Sequence, residues 1–271
     1  MLTLQTVNPA GIAAASPARE RYAKITPEIA AALLAELKPV DIFSDSVKTV
    51  KGEKFGVRTL VSYLSPSEYL ARALGLNFRN LCPFASEACA AVCLGEHSGR
   101  MSFDGPKNAR MRRTILYHLA PELFRAQFVR EVRKYEKIAA ANNQKLVVRA
   151  NGSSDILWER EWPELFELFP HIEFYDYTKV PLRYRRNLPR NYYLTFSRSE
   201  SNWDECETVL RGGGNVAAVF AALPQTYRGF RVIDGDSHDI RLPQWDGSGV
   251  IVGLLPKGHK AKRDVSGFVI R

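Results

Sequence analysis

From residue 145 onward, short runs rich in β-branched and aromatic residues alternate with short helical patterns, and this rhythm narrows the fold more than any other feature of the chain. Residues 145–150, 172–177, 192–196, 215–220, 230–233 and 250–254 read as strands, each bounded by glycine, proline or polar residues. Residues 162–169 and 203–211 carry helical spacing between them. Strands separated by helices imply parallel pairing through crossover connections, hence an α/β fold. The number of units predicts an incomplete or distorted βα (TIM-like) barrel with mainly parallel strands. A further strand is expected over residues 55–64, and a long helical stretch over 107–142, broken at Ala120 and Pro121 because proline cannot continue a helix. Ahead of these, Thr26 and Pro27 open a helix running to about Leu37. Residues 1–24 lack periodicity and read as an arm. The expected division is an N-terminal arm and helix over 1–54, then one α/β body over 55–271.

Polar residues gather after these strands. In parallel α/β folds the carboxyl ends of strands form the rim where connecting loops converge, so side chains there are functional candidates. Asn151, Ser153, Ser154 and Asp155 follow one strand and are candidates for holding a cofactor's amino, carboxylate or ribose groups, with an ordinary turn as the competing reading. Asp176 and Lys179 flank the next strand end; the lysine is suited to a substrate carboxylate or phosphate, or to pairing with Asp176. Ser197 and Arg198 follow the next strand and are candidate substrate contacts. Asp234, Asp236 and His238 share one side of an extended chain, which suits a hard cation or a substrate, against the alternative of a hydrogen-bonded turn. The glycines at 212–214 precede their strand, so they read as a helix stop and not as a phosphate loop.

The fifth rim segment, after the strand at 55–64, holds three of the four cysteines: Cys82, Cys89 and Cys93. Several thiolates brought close together repel unless a metal, a proton or a disulfide compensates them. Cys82 and Pro83 read as a helix start, which places Cys89 and Cys93 on one face about 6 Å apart along the axis. A straight helix would set Cys82 roughly 16 Å from Cys93, so a shared centre requires a bend near Pro83. A disulfide between Cys89 and Cys93 would need Cβ atoms about 4 Å apart, closer than helical neighbours four residues apart come. Three thiolates with one open position suit a [4Fe-4S] cluster; zinc is the alternative, with His97 completing a Cys3His set. Cys206 reads as a buried helix cysteine or as a fourth ligand.

The chain has 271 residues and a net charge of +9, with 45% hydrophobic residues, values of an ordinary globular protein. Clustered cysteines favour a reducing compartment. No run is long and apolar enough to span a bilayer, and the first residues lack a signal-peptide pattern, so the expected location is cytoplasmic with no membrane partner. The positive charge makes nucleic acid a candidate partner beside a small-molecule substrate or cofactor. A zinc-stabilised nucleic-acid-binding module is the alternative function.

Two resemblances add to this reading. The cysteine segment beginning at Asn80, Arg112 with Arg113, residues 151–155, 175–179, 195–200 and 234–239, and the closing Ser266 to Val269 resemble the uncharacterised phage-encoded family called gene product eighty-eight. That resemblance implies a phage protein acting in the bacterial host cytoplasm, where an inhibitor of a host protein is a further possibility. The order of strand, three-cysteine loop, helix and open barrel is similar to the radical S-adenosylmethionine enzymes. This implies a cluster with one iron free for S-adenosylmethionine, although the intervals between cysteines, six and three residues, depart from that family's three and two.

Overall fold

The computed structural model describes residues 22–271 apart from 45, 46, 67 and 186; most of the arm expected over 1–24 lies outside the described residues. The strands are β1 (Phe43–Ser44), β2 (Val57–Ser62), β3 (Lys145–Arg149), β4 (Glu173–Thr178), β5 (Tyr192–Ser197), β6 (Asn215–Phe220), β7 (Thr226–Tyr227), β8 (Phe230–Asp234), β9 (Ile251–Leu254) and β10 (Val269–Ile270). The helices are α1 (Pro27–Ala35), α2 (Val47–Glu53), α3 (Tyr69–Leu74), α4 (Glu87–Ala91), α5 (Leu94–His97), α6 (Asp104–Leu119), α7 (Pro121–Ala141), α8 (Trp158–Glu161), α9 (Glu164–Leu168), α10 (Trp203–Arg211), α11 (Pro243–Asp246) and α12 (Gly258–Lys262).

The expected parallel sheet is present. Its order is β1-β2-β3-β4-β5-β6-β9-β8-β7, with β10 added beside β6. Strands β2 to β6, β9 and β8 pair in parallel, whereas β1 and β7 are two-residue antiparallel edges. Among the described strands the pairing path runs from edge to edge without closing. The helix expected over 162–169 is split: Trp162 separates α8 from α9, because a residue ahead of a proline is driven out of helical backbone. The helix break at Ala120 and Pro121 falls where expected.

Alternation along the strands sorts the core into two faces. Leu60, Leu146, Val148 and Phe174 pack with Phe124, Phe128 and Val132 of α7 and with Trp158 and Leu165. Val57, Val147 and Tyr175, each on the opposite parity, pack instead with Ile240 and Leu242. Those two residues belong to the β8-to-β9 connection, which therefore covers the face that the helices leave open. Handedness explains it: β2 to β6 advance along the sheet with helices on one face, whereas β8 to β9 steps backward. A right-handed crossover in the reverse direction must lie on the other face.

This backward connection carries charge into the interior. Asp239 pairs with Arg149 at 2.9 Å, the Arg149 guanidinium stands 4.7 Å over the Tyr177 ring, and Arg241 pairs with Asp246 at 3.2 Å. Breaking a buried pair leaves one charge without compensation, which costs about 3–5 kcal/mol. Asp239→Ala should therefore lower the unfolding free energy by about that amount, measured by urea denaturation. An effect below about 1 kcal/mol would mean that the pair does not anchor the crossover.

Candidate functional site

The cysteine segment is a turn followed by two short helices. The Asn80 side-chain oxygen accepts the Cys82 N–H at 2.7 Å, and the Cys82 carbonyl accepts from Ala85 at 3.1 Å, so the chain bends at Pro83 and Phe84. The expected helix start at Cys82 and Pro83 is corrected here: α4 begins after Ser86, whose Oγ accepts the Cys89 N–H at 3.2 Å as an N-cap. Helix α4 ends at Ala91 with Val92 as its C-cap, and Cys93 is the N-cap of the next short helix, α5. Cys82 thus comes from a turn, Cys89 from a helix and Cys93 from a helix junction.

Neighbouring elements clamp this segment to the sheet. The Leu81 carbonyl accepts the Asp155 N–H at 2.7 Å, and the Ser86 hydroxyl donates to Glu200 at 2.7 Å. Gly152 donates to the Ser62 carbonyl at 2.8 Å; a Cβ there would lie 2.6 Å from the Tyr63 ring and 2.7 Å from that same carbonyl, so only glycine lets the loop after β3 approach β2 so closely. The side of α5 is closed by α12, where Lys260 Nζ stands 3.2 Å from His97 Nε2.

The three thiols interact electrostatically with one another and with Lys179, which hydrogen-bonds Cys89. All three are free and partly buried. Burial pushes the Cys82 thiol up to about 12, with Lys179 opposing and Asp155 and the other two cysteines reinforcing. Burial, with Glu96 and Cys89 beside it, pushes Cys93 up to about 11. Lys179 is itself raised: burial works against its charge, but Cys89, Cys82 and Asp155 outweigh it. Arg110 is only 2% exposed and interacts with Cys93 and Glu96. Three soft donors thus share their surroundings with a half-buried lysine and a buried arginine.

Asp155 positions the lysine. Its carboxylate accepts the Thr178 hydroxyl at 2.8 Å and the Lys179 backbone N–H at 2.7 Å, with Arg185 at 3.7 Å. A family model described as Gene product 88 matches residues 45–271, a span that takes in the whole of this site. The chain belongs to that family. The resemblance to the phage gene product family is thereby borne out. No curated protein and no solved structure matches the chain.

In this member of the Gene product 88 family, several residues singled out from the sequence have structural work. Asn151 uses every hydrogen-bonding position of its side-chain amide: Nδ2 donates to Ile156 O (2.9 Å) and Asp176 (3.0 Å), while Oδ1 accepts from Ser154 and from the Ile156 N–H, both at 2.9 Å. Ser153 donates to the Leu64 carbonyl at 2.6 Å. Arg198 grips the carbonyls of Gly267 (2.6 Å) and Phe268 (2.9 Å), and Ser197 is buried, its carbonyl accepting from Asn202 at 3.1 Å. Asp234 caps a turn by accepting the Asp236 N–H at 2.7 Å; Asp236 pairs with Lys257 at 3.1 Å; His238 Nδ1 stands 3.0 Å from Arg241. The turn is the arrangement present. Cys206, on α10, is fully buried with Leu210 of the same helix and with Phe196 and Val216, in the core of the helix-covered face. Sequence reasoning singled out Lys179 but missed Arg110 and Glu200. Arg110 stands among other basic residues, and only its position among the buried residues of α6 distinguishes it.

Asp176 is fully buried and turned to the helix side, where it accepts from the Tyr192 hydroxyl and the Asn151 N–H, both at 2.7 Å. It does not pair with Lys179's side chain, as one reading of the sequence had it; strand alternation puts the two on opposite faces. Burial pushes its carboxyl up to about 7, against those hydrogen bonds and the charges of Arg149 and Arg185. An unfolded aspartate releases its proton near pH 3.9, so across the interval up to about 7 the folded form holds more protons and this group's contribution to stability falls as pH rises. The stability of the wild type relative to Asp176→Asn should therefore decline between pH 4 and 7, read from urea midpoints at each pH. A difference that stays flat over that interval contradicts the buried-acid assignment.

Proposed function

We propose that Cys82, Cys89 and Cys93 hold a [4Fe-4S] cluster with one iron left open, and that the protein works on a small anionic molecule brought to that iron. What supports this reading is that the three thiols come from one rim segment and act electrostatically on one another, with Lys179 hydrogen-bonded to Cys89 and Arg110 acting on Cys93. Thiolates are the ligands such clusters require, and three of them leave one coordination position unfilled. When bound, the cluster supplies a Lewis-acidic iron or an electron to the molecule beside it. Lys179 and Arg110 offset the negative charge of the thiolates, and Lys179 also suits an incoming carboxylate or phosphate.

A single ion fits the donor set less well. Zinc needs its sulfurs about 4 Å apart, since each Zn–S bond is about 2.3 Å long. Among the described residues no group of three His, Cys, Asp or Glu side chains is arranged to hold a metal ion, and this applies to a single ion and to a cluster alike. A four-iron cluster takes each thiolate on a different iron. The zinc reading also asks for His97, whose Nε2 is occupied by Lys260. S-adenosylmethionine is left out of the proposal, because the Asn151 amide that would meet its amino-acid end is already saturated. The sequential parallel order of β2 to β6 supports an opened βα barrel as the frame.

Protein purified without oxygen should be brown and contain about four iron and four sulfide per chain. Single replacement of Cys82, Cys89 or Cys93 by alanine should abolish this content, whereas Cys206→Ser and His97→Ala should retain it. A colourless protein with one zinc, lost in His97→Ala, would overturn the proposal.

A further inference from the structure

Helix α7 is the longest of the described helices, and its two sides differ sharply. One side buries Phe124, Phe128, Val132 and Ala139 against the sheet. The other presents Arg130, Arg133, Lys134 and Lys137, all exposed, around a shallow groove of about 380 Å³ whose remaining lining is Ala126 and Val129. These four follow the i, i+3, i+4, i+7 spacing that puts residues on one helical face. Among the described residues none of the four has an acidic partner. The acids of the same stretch are turned elsewhere: Glu131 accepts the N–H groups of Ile42 (2.9 Å) and Phe43 (3.1 Å), and Glu136 pairs with His171. Helix α7 thus gathers positive charge and diverts negative charge.

We propose that this face docks onto the phosphate backbone of duplex DNA, independently of whatever the three cysteines hold. Seven residues of helix span about 10 Å, and three base-pair steps cover about the same axial distance, so the row of four cations meets a similar row of phosphates. The net charge of +9 favours a polyanion over a single acidic side chain. A bilayer surface fits less well, because membrane-bound amphipathic helices bury bulky apolar residues on the contact side. Here the groove itself offers only Ala126 and Val129; of the bulky apolar residues of α7 only Leu123, one turn before the basic row, is exposed, and the others are turned to the core. Contacts of this kind position the protein on the duplex without reading its sequence.

The test is fluorescence anisotropy of the full chain with a labelled 20-base-pair duplex across a salt series. Neutralising four phosphates predicts a slope of log affinity against log salt of about −3.6, or roughly a 100-fold loss between 50 and 200 mM salt. Combined replacement of Arg130, Arg133, Lys134 and Lys137 by alanine should remove most of that slope while circular dichroism stays unchanged, since all four side chains are exposed and alanine favours helix. Lys262→Ala with Arg263→Ala, on the separate basic cluster of α12, should leave the slope unaltered. The proposal is overturned if the duplex does not bind, if the fourfold variant keeps the wild-type slope, or if the α12 variant is the one that loses it. Binding to vesicles containing one-third phosphatidylserine, removed by the fourfold variant while DNA shows none, would assign the face to a membrane instead.

Discussion

A single buried carboxylate decides where the thiols stand. Asp155 accepts from Thr178 and from the Lys179 backbone, while its own N–H holds the Leu81 carbonyl next to Cys82. Three loops, those after β2, β3 and β4, are therefore joined within a few residues of one another. Hydrogen bonds to an ionised acceptor are about twice as strong as neutral ones, so this junction is stiffer than loop segments usually are. Lys179 is delivered beside Cys89 because its main chain is fastened at Asp155. The remaining clamps, Ser86 to Glu200 and the packing of α12 on α5, act on a segment already located.

The second constraint is the hand of the chain. Because β9 sits between β6 and β8, the sheet must be completed by a step against the general direction, and that step can keep its right-handed sense only on the face away from the helices. Ile240 and Leu242 then supply the apolar contacts that a closed barrel would draw from facing strands. Arg149, Asp239, Arg241 and Asp246 enter the interior with the same segment, and their pairing offsets the cost of taking charge out of water. The interior is thereby filled by chain.

Much of the frame was legible from residues alone, since β3 to β6, β8 and β9 are built on apolar runs whose period and length suit strands and little else. The two-residue strands β1, β7 and β10 carry no such signal, because their pairing depends on which chain passes alongside. The cysteine segment shows how local cues compete. Pro83 is well suited to a first helical turn, but Asn80 captures the Cys82 N–H and Ser86 captures that of Cys89, which moves the helix start by several residues. The candidates at 151–155 and 234–238 have the composition of ligand-binding loops and equally that of self-bonded turns. Only the hydrogen bonds of Asn151 and Asp234 separate the two. Lys179 was recognisable from its place at a strand end; Arg110 was hidden among other basic residues.

The position of β9 also bears on how the molecule is assembled in time. During synthesis β6 and β8 emerge before the strand that separates them, so each exposes an unpaired edge toward a place not yet occupied. If the two were to join directly they would form a shorter sheet with no slot for residues 251–254, and that pairing would have to reopen before the native order could form. A late-inserted central strand is thus a source of slow refolding and of edge-to-edge association between nascent copies.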